Sequence, residues 1–169
     1  MWNDTAIPLA FLITFRCHGT WLHGDERGSV DLSNNVFGTP VIPSHPRWHS
    51  ASEANLAYPQ VFLSAEMRDS VETAIKETCH FRDRILYAIN IRTNHGHVVV
   101  NAGSESPSKV LQALKANAPR HMRQRGVWRE KYSPWSVRGS KRYLWNDKSV
   151  NAAVDNVLYG QGNELPNFD

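Results

Sequence analysis

What most limits the folds open to this chain is a pair of apolar, β-branched runs with almost nothing between them. Residues 84–92 (Arg-Ile-Leu-Tyr-Ala-Ile-Asn-Ile-Arg) and His95 to Asn101 are separated only by Thr93-Asn94. A break that short, with turn-forming side chains, predicts a hairpin. A helical pattern flanks it on each side. Upstream, Ser64 precedes Ala65-Glu66-Met67, and Met67, Val71, Ile75 and Cys79 recur at helical spacing. Downstream, Ser106-Pro107-Ser108 opens a run through Val110, Leu111, Leu114 and Ala118, with Ser106 as the cap and Pro107 in the first turn. Residues 9–16 read as a buried strand. Residues 127–145 read as a short hairpin around Ser140, and a last helix is expected from about Lys148 to Tyr159 with Val150, Ala153, Val154 and Val157 inward. The order β-α-β-β-α-β predicts an α+β fold: a ferredoxin-like split βαβ antiparallel sheet with helices on one face, plus a C-terminal helix.

The 169 residues suit one domain, 1–169. Residues 18–64 stand out as a long irregular loop after the first strand, rich in glycine and proline and carrying Trp21 and Trp48; loops of that length tend to be functional or an appended substructure. The apolar stretch from Ala6 to Phe15 is broken by Pro8 and Thr14 and falls far short of the ~20 residues that cross a bilayer. With no charged leader or cleavage pattern either, the expectation is a cytoplasmic protein with no membrane partner. Cys17 and Cys79 have no C-x-x-C spacing and read as buried free thiols.

The net charge is only +3, but it is unevenly spread. From Lys109 to Arg142 the chain carries Lys109, Lys115, Arg120, Arg123, Arg125, Arg129, Lys131, Arg138, Lys141 and Arg142, against Glu130 as the one acid. Such concentration favours a polyanion, because displaced phosphate counterions drive binding. Lys109, Arg120, Arg123, Arg125, Arg138, Lys141 and Arg142 are the candidate contacts to such a polyanion, nucleic acid included, or else form a solvated basic face with no ligand. Trp21, on a polar loop, is the candidate base-stacking residue. Trp128, Trp135 and Tyr143 fit either core positions or base-stacking platforms, with core the preferred reading.

The chemistry concentrates at Asn94-His95-Gly96-His97. Strand residues two apart project from the same face, so His95 and His97 present two imidazoles together. That arrangement suits two ligands of one metal ion, or a pair of ordinary half-buried histidines. His18 and His23, five apart in the long loop, are a weaker pair. Tyr159 ends the last helix, and Asn163 follows four residues later, on the same side if the helix continues. A phenol is a poor nucleophile near neutral pH until a base or cation activates it. Taken alone, Tyr159 also fits a packing aromatic at a helix end.

The string Asn94-His95-Gly96-His97-Val98-Val99-Val100, the second helix, the Trp128…Trp135…Tyr143 segment and Tyr159-Gly-Gln-Gly-Asn163 resemble the HUH-type single-strand nucleases. Within them the similarity is to the single-tyrosine transposases, especially those associated with repetitive extragenic palindromes. It covers residues 9–17 and 64–163. Gly96 stands where the family usually has a bulky apolar residue, and Thr93 where proline is common. The resemblance implies that His95, His97 and Asn163 hold Mg²⁺ or Mn²⁺. It implies also that Tyr159 attacks single-stranded or hairpin DNA, giving a 5′-phosphotyrosine link and a free 3′-OH. Family members act as monomers or homodimers. Two other readings stay open: a non-cleaving nucleic-acid-binding relative, and a zinc hydrolase without a tyrosine adduct.

Overall fold

The structure, a computed structural model, describes residues 7–20 and 43–162. Along them run β1 (Ala10–Cys17), α1 (Pro46–Ala54), α2 (Ala65–Phe81), β2 (Leu86–Ile91), β3 (His95–Asn101), α3 (Pro107–Gln124), β4 (Trp135–Leu144) and α4 (Asp147–Tyr159). The strands form one antiparallel sheet in the order β2-β3-β1-β4. This is the expected α+β arrangement, with the predicted β2–β3 hairpin on one side and β1 in the interior.

Alternation along β1 gives the sheet two different faces. Phe11, Ile13, Phe15 and Cys17 point with Val98 and Val100 into the main core, which α2 fills with Val71, Ala74 and Ile75 and α3 with Val110, Leu111 and Leu114. On the other face, Ala10, Ala88, Val99 and Leu144 pack against Ala153 and Val157 of α4, with Leu12, Val150 and Val154 alongside. The two crossover helices thus share one face, and the C-terminal helix takes the other. The small side chains Ala10, Ala88 and Ala153 let α4 lie close to the strands. No helix of the described residues is long and apolar enough to cross a membrane.

Helix starts follow side-chain chemistry. Ser64 accepts from the Met67 amide at 3.2 Å, Ser106 from Lys109 at 3.4 Å and Asn146 from Ser149 at 2.9 Å, each satisfying an otherwise orphaned donor. α3 continues through Pro119. Proline has no amide hydrogen for the carbonyl four residues back, and here that carbonyl, Lys115 O, accepts instead from the Trp135 indole N–H at 3.0 Å. One buried side chain repairs the helix and pins β4 to it.

Three expectations need correction. Residues 127–145 do not form a hairpin around Ser140; β4 is a single strand in which Ser140 pairs with Thr14. Gly139 explains the continuity: a Cβ there would meet the Thr14 carbonyl oxygen at 2.7 Å and Leu111 Cδ2 at 2.9 Å, so glycine lets β4 and β1 close up beside α3. The stretch 18–64 is not wholly irregular, since α1 lies within it. His45 caps that helix by accepting from the Trp48 amide at 3.2 Å, and Pro46 fills its first turn. Finally, Trp128 and Trp135 are buried as expected, but Tyr143 is 48% exposed, because β4 is an edge strand.

Candidate active site

β3 places both histidines on the α4 face. Its register sets His97 between Asn90 on β2 and Thr14 on β1, and His95 beside Arg16; the Arg92 amide donates to the His95 carbonyl at 2.7 Å. α4 covers one half of this face, and its last turn stops at the histidines, where the Asn90 side-chain amide donates to the Val157 carbonyl at 2.9 Å. The open half therefore carries Thr14, Arg16, Asn90, Arg92, His95 and His97. Beside Arg16 the β1–β4 register shifts between Phe15 and Cys17, the kind of strand irregularity that re-aims side chains at functional sites.

The two imidazole ring centres lie 4.8 Å apart at 78°. Two imidazoles on adjacent positions of one ion, with metal–nitrogen bonds near ~2.1 Å, have ring centres roughly 4.5 Å apart, so the pair fits a shared cation. Each Nδ1 has a protein partner: His95 with Asn94 Oδ1 at 2.6 Å, and His97 with Thr14 Oγ1 at 2.9 Å. Such outer contacts fix ring orientation and leave Nε2 as the ligating nitrogen. Asn94 Oδ1 can only accept, so His95 Nδ1 carries a proton, which leaves Nε2 as the nitrogen open to a cation. The Thr14 hydroxyl either donates or accepts and so serves either tautomer of His97. Burial lowers the His97 pKa to about 4, helped by His95, Arg16 and Arg92 and opposed by a hydrogen bond that the ring donates to the Gln161 side chain. His97 is thus neutral near pH 7, as a ligand must be.

Gln161 was invisible to the sequence argument, which took the amide four residues after Tyr159 rather than two. Its Nε2 donates to Asn156 O and Oδ1, each at 3.0 Å; the carboxamide is thereby oriented with its oxygen toward His97. Asn163 and Trp21 lie outside the described residues, as does His23. Among the described residues no third His, Cys, Asp or Glu joins the pair. Thr14, Arg16, Asn90 and Arg92 were missed too, although a signal existed: each alternates with Ile13, Phe15, Ile89 or Ile91 along its strand, the period-two mark of one polar face.

Tyr159 is not brought into contact with the histidines. It sits two residues beyond buried Val157, about 200° round the helix, and is 81% exposed. The chain on either side is held at the site, by Asn90 at Val157 and by His97 at Gln161. The basic residues scatter. Arg120 is exposed on α3. Arg123 donates to the carbonyls of Glu130, Lys131 and Tyr132, and Arg125 pairs with Asp69 on α2 at 2.7 Å. Lys109 stands in the first turn of α3, while Arg138, Lys141 and Arg142 lie along β4. Arg142 faces the α4 side opposite Leu12, and Lys141 faces α3.

A four-stranded sheet with two crossover helices behind it and a histidine pair under a C-terminal helix defines the class of protein, and comparison supplies the family. The family model described as IS200-like transposase matches residues 56–157. The chain belongs to that transposase family. Among solved structures it is similar to a candidate transposase of Deinococcus radiodurans, at 9% identity and TM-score 0.51, over 97% of this chain and 98% of that one. It is also similar to a REP-associated tyrosine transposase bound to a REP hairpin, at 12% identity and TM-score 0.49, over 95% of this chain and 68% of that one. No curated protein matches.

Proposed function

We propose that this chain is a metal-dependent single-stranded-DNA endonuclease and strand transferase acting on hairpin-containing DNA, with Tyr159 as nucleophile. The observation that carries the reading is the joint anchoring of the tyrosine-bearing turn, at Val157 and Gln161, beside a histidine pair whose rings Asn94 and Thr14 orient. His95 and His97 would hold Mg²⁺ or Mn²⁺, with a side-chain amide oxygen from Asn163 or Gln161 as third protein ligand. When bound, the ion supplies charge stabilisation at the scissile phosphate. The Tyr159 phenol loses its proton and its oxygen bonds to phosphorus. The bond to the 3′ oxygen breaks, that oxygen takes up a proton, and a 5′-phosphotyrosine and a free 3′-OH result. Attack by another 3′-OH reverses these steps and rejoins the strand. Arg16 and Arg92 bring positive charge to the face on which the phosphate backbone would lie. In this reading the whole chain is one cytoplasmic domain, with 18–64 an elaboration of it.

The test is covalence. Wild-type protein with Mn²⁺ and a hairpin-tailed oligonucleotide should give a denaturation-resistant adduct that Tyr159→Phe loses while still binding DNA. An adduct persisting in Tyr159→Phe refutes the nucleophile. A mixture of Tyr159→Phe with His97→Ala regains the adduct only when a tyrosine serves the histidines of a second copy. The outward phenol favours one other reading, a DNA-binding relative that does not cut, and binding without any adduct under these conditions would select it.

A further inference from the structure

The end of β4 carries a feature that the histidine site does not use. Tyr143 and Trp145 stack with ring centres 5.8 Å apart and planes 15° from parallel, and they are 48% and 41% exposed. Tyr143 is held from below, edge-on to buried Phe11 at 5.5 Å and 90°, so the stack stands on the core rather than on a loose loop. Lys141 lies two residues before Tyr143, on the same side of the strand, and its Nζ donates to Ser108 Oγ at 3.2 Å. That contact brings the row beside the first turn of α3, where Lys109 is exposed. From Lys131 to Asn146 the chain has four basic residues and no acid. A lysine on a sheet edge also guards against strand addition, but that role asks nothing of two exposed, mutually stacked aromatics.

From this geometry we propose that Lys141, Tyr143 and Trp145 form a binding rail for unpaired DNA bases, separate from the histidine site. An already parallel π pair offers an outer ring face to a nucleobase, as aromatic platforms for single strands do, while the lysine meets a phosphate. Base pairing hides that face in a duplex, so the rail selects unpaired segments. The partner chemistry rests on charge: β4 carries Arg138, Lys141 and Arg142 and no acid, although Asp147 follows it, and this balance suits a polyanion and disfavours a second copy of the same edge. The proposal uses only the DNA partnership of the function above, not its cleavage step.

The experiment is equilibrium binding of a labelled oligothymidylate in EDTA, in a Tyr159→Phe background, so that neither metal nor cutting enters. Trp145→Ala and Tyr143→Ala should each weaken binding about 5- to 150-fold, with Trp145→Phe close to the parent. Lys141→Ala should lower the slope of log affinity against log salt by about 0.7, and affinity for a blunt duplex should move little in the aromatic variants. Thermal melts exclude unfolding as the cause. Unchanged oligothymidylate affinity in folded Trp145→Ala overturns the rail, as does a change in molecular mass without a change in affinity, which would make the edge a subunit contact. Failure of the adduct assay with the rail variants behaving as stated would instead sink the cleavage reading alone.

Discussion

Gly96, between the two histidines, gives the sharpest test of how the site is built. Its neighbours point to the α4 face, so a side chain at 96 would point into the main core. A Cβ there would lie 2.6 Å from Phe15 Cζ and 2.9 Å from Ile91 Cδ1, about 1 Å inside the ~3.5–4.0 Å optimum for carbon contacts. Phe15 has little room to retreat: it is 1% exposed and packs edge-on against Trp135 at 4.9 Å. Overpacking of this kind costs roughly 1–3 kcal/mol, and the gain from replacing a strand glycine returns roughly 0.5–1. Gly96→Ala should therefore destabilise by about 1–2 kcal/mol, a fall in Tm of about 2–8 °C for a chain of this size. Phe15→Leu removes the colliding ring atoms at a cavity cost of about 1–2 kcal/mol. In that background Gly96→Ala should cost close to nothing, since the Ile91 methyl can rotate away. The coupling of about 1–2 kcal/mol lies in the range for residues in contact. Chemical and thermal denaturation of the four proteins measures it. Equal losses in both backgrounds, or a Gly96→Ala protein more stable than wild type, would refute the account of why glycine separates the histidines.

Two further outcomes are expected. Mn²⁺ affinity, read by titration calorimetry without DNA, should vanish in His97→Ala and fall about 10–100-fold in whichever of Gln161→Ala and Asn163→Ala removes the third donor; no loss in either refutes an amide ligand. Trp135→Phe should cost about 1–3 kcal/mol by leaving the half-buried Lys115 carbonyl without a donor. The penalty should shrink in Pro119→Ala, which restores the helical amide, and an undiminished penalty argues that the indole acts by packing alone.

The legible part of this molecule was the part written in periodicity. Two strands around Thr93-Asn94 and two capped helices fixed the sheet order, because few topologies connect those elements without crossing. The histidine pair followed from the same period of two. What failed depended on contacts between segments far apart in the chain. Nothing local to Ser140 says that Thr14 will pair with it and carry β4 straight through. Nothing local to Pro119 says that an indole sixteen residues on will replace the missing hydrogen bond. Tyr143 reads locally as core or as a stacking platform, and it is surface because β4 is last in the sheet.

The same distinction governs the site. Helical spacing tied Asn163 to Tyr159, yet α4 ends at Tyr159 with Gly160 as its cap. Past that point the chain turns, Gln161 meets His97, and Gly162 takes φ +88°, a conformation that suits glycine and is not helical. Spacing arguments hold only while one element continues. Beyond its cap, the amide nearest the histidine pair is decided by the direction of the turn, which makes Gln161 a physical rival to Asn163 as the proposed third ligand.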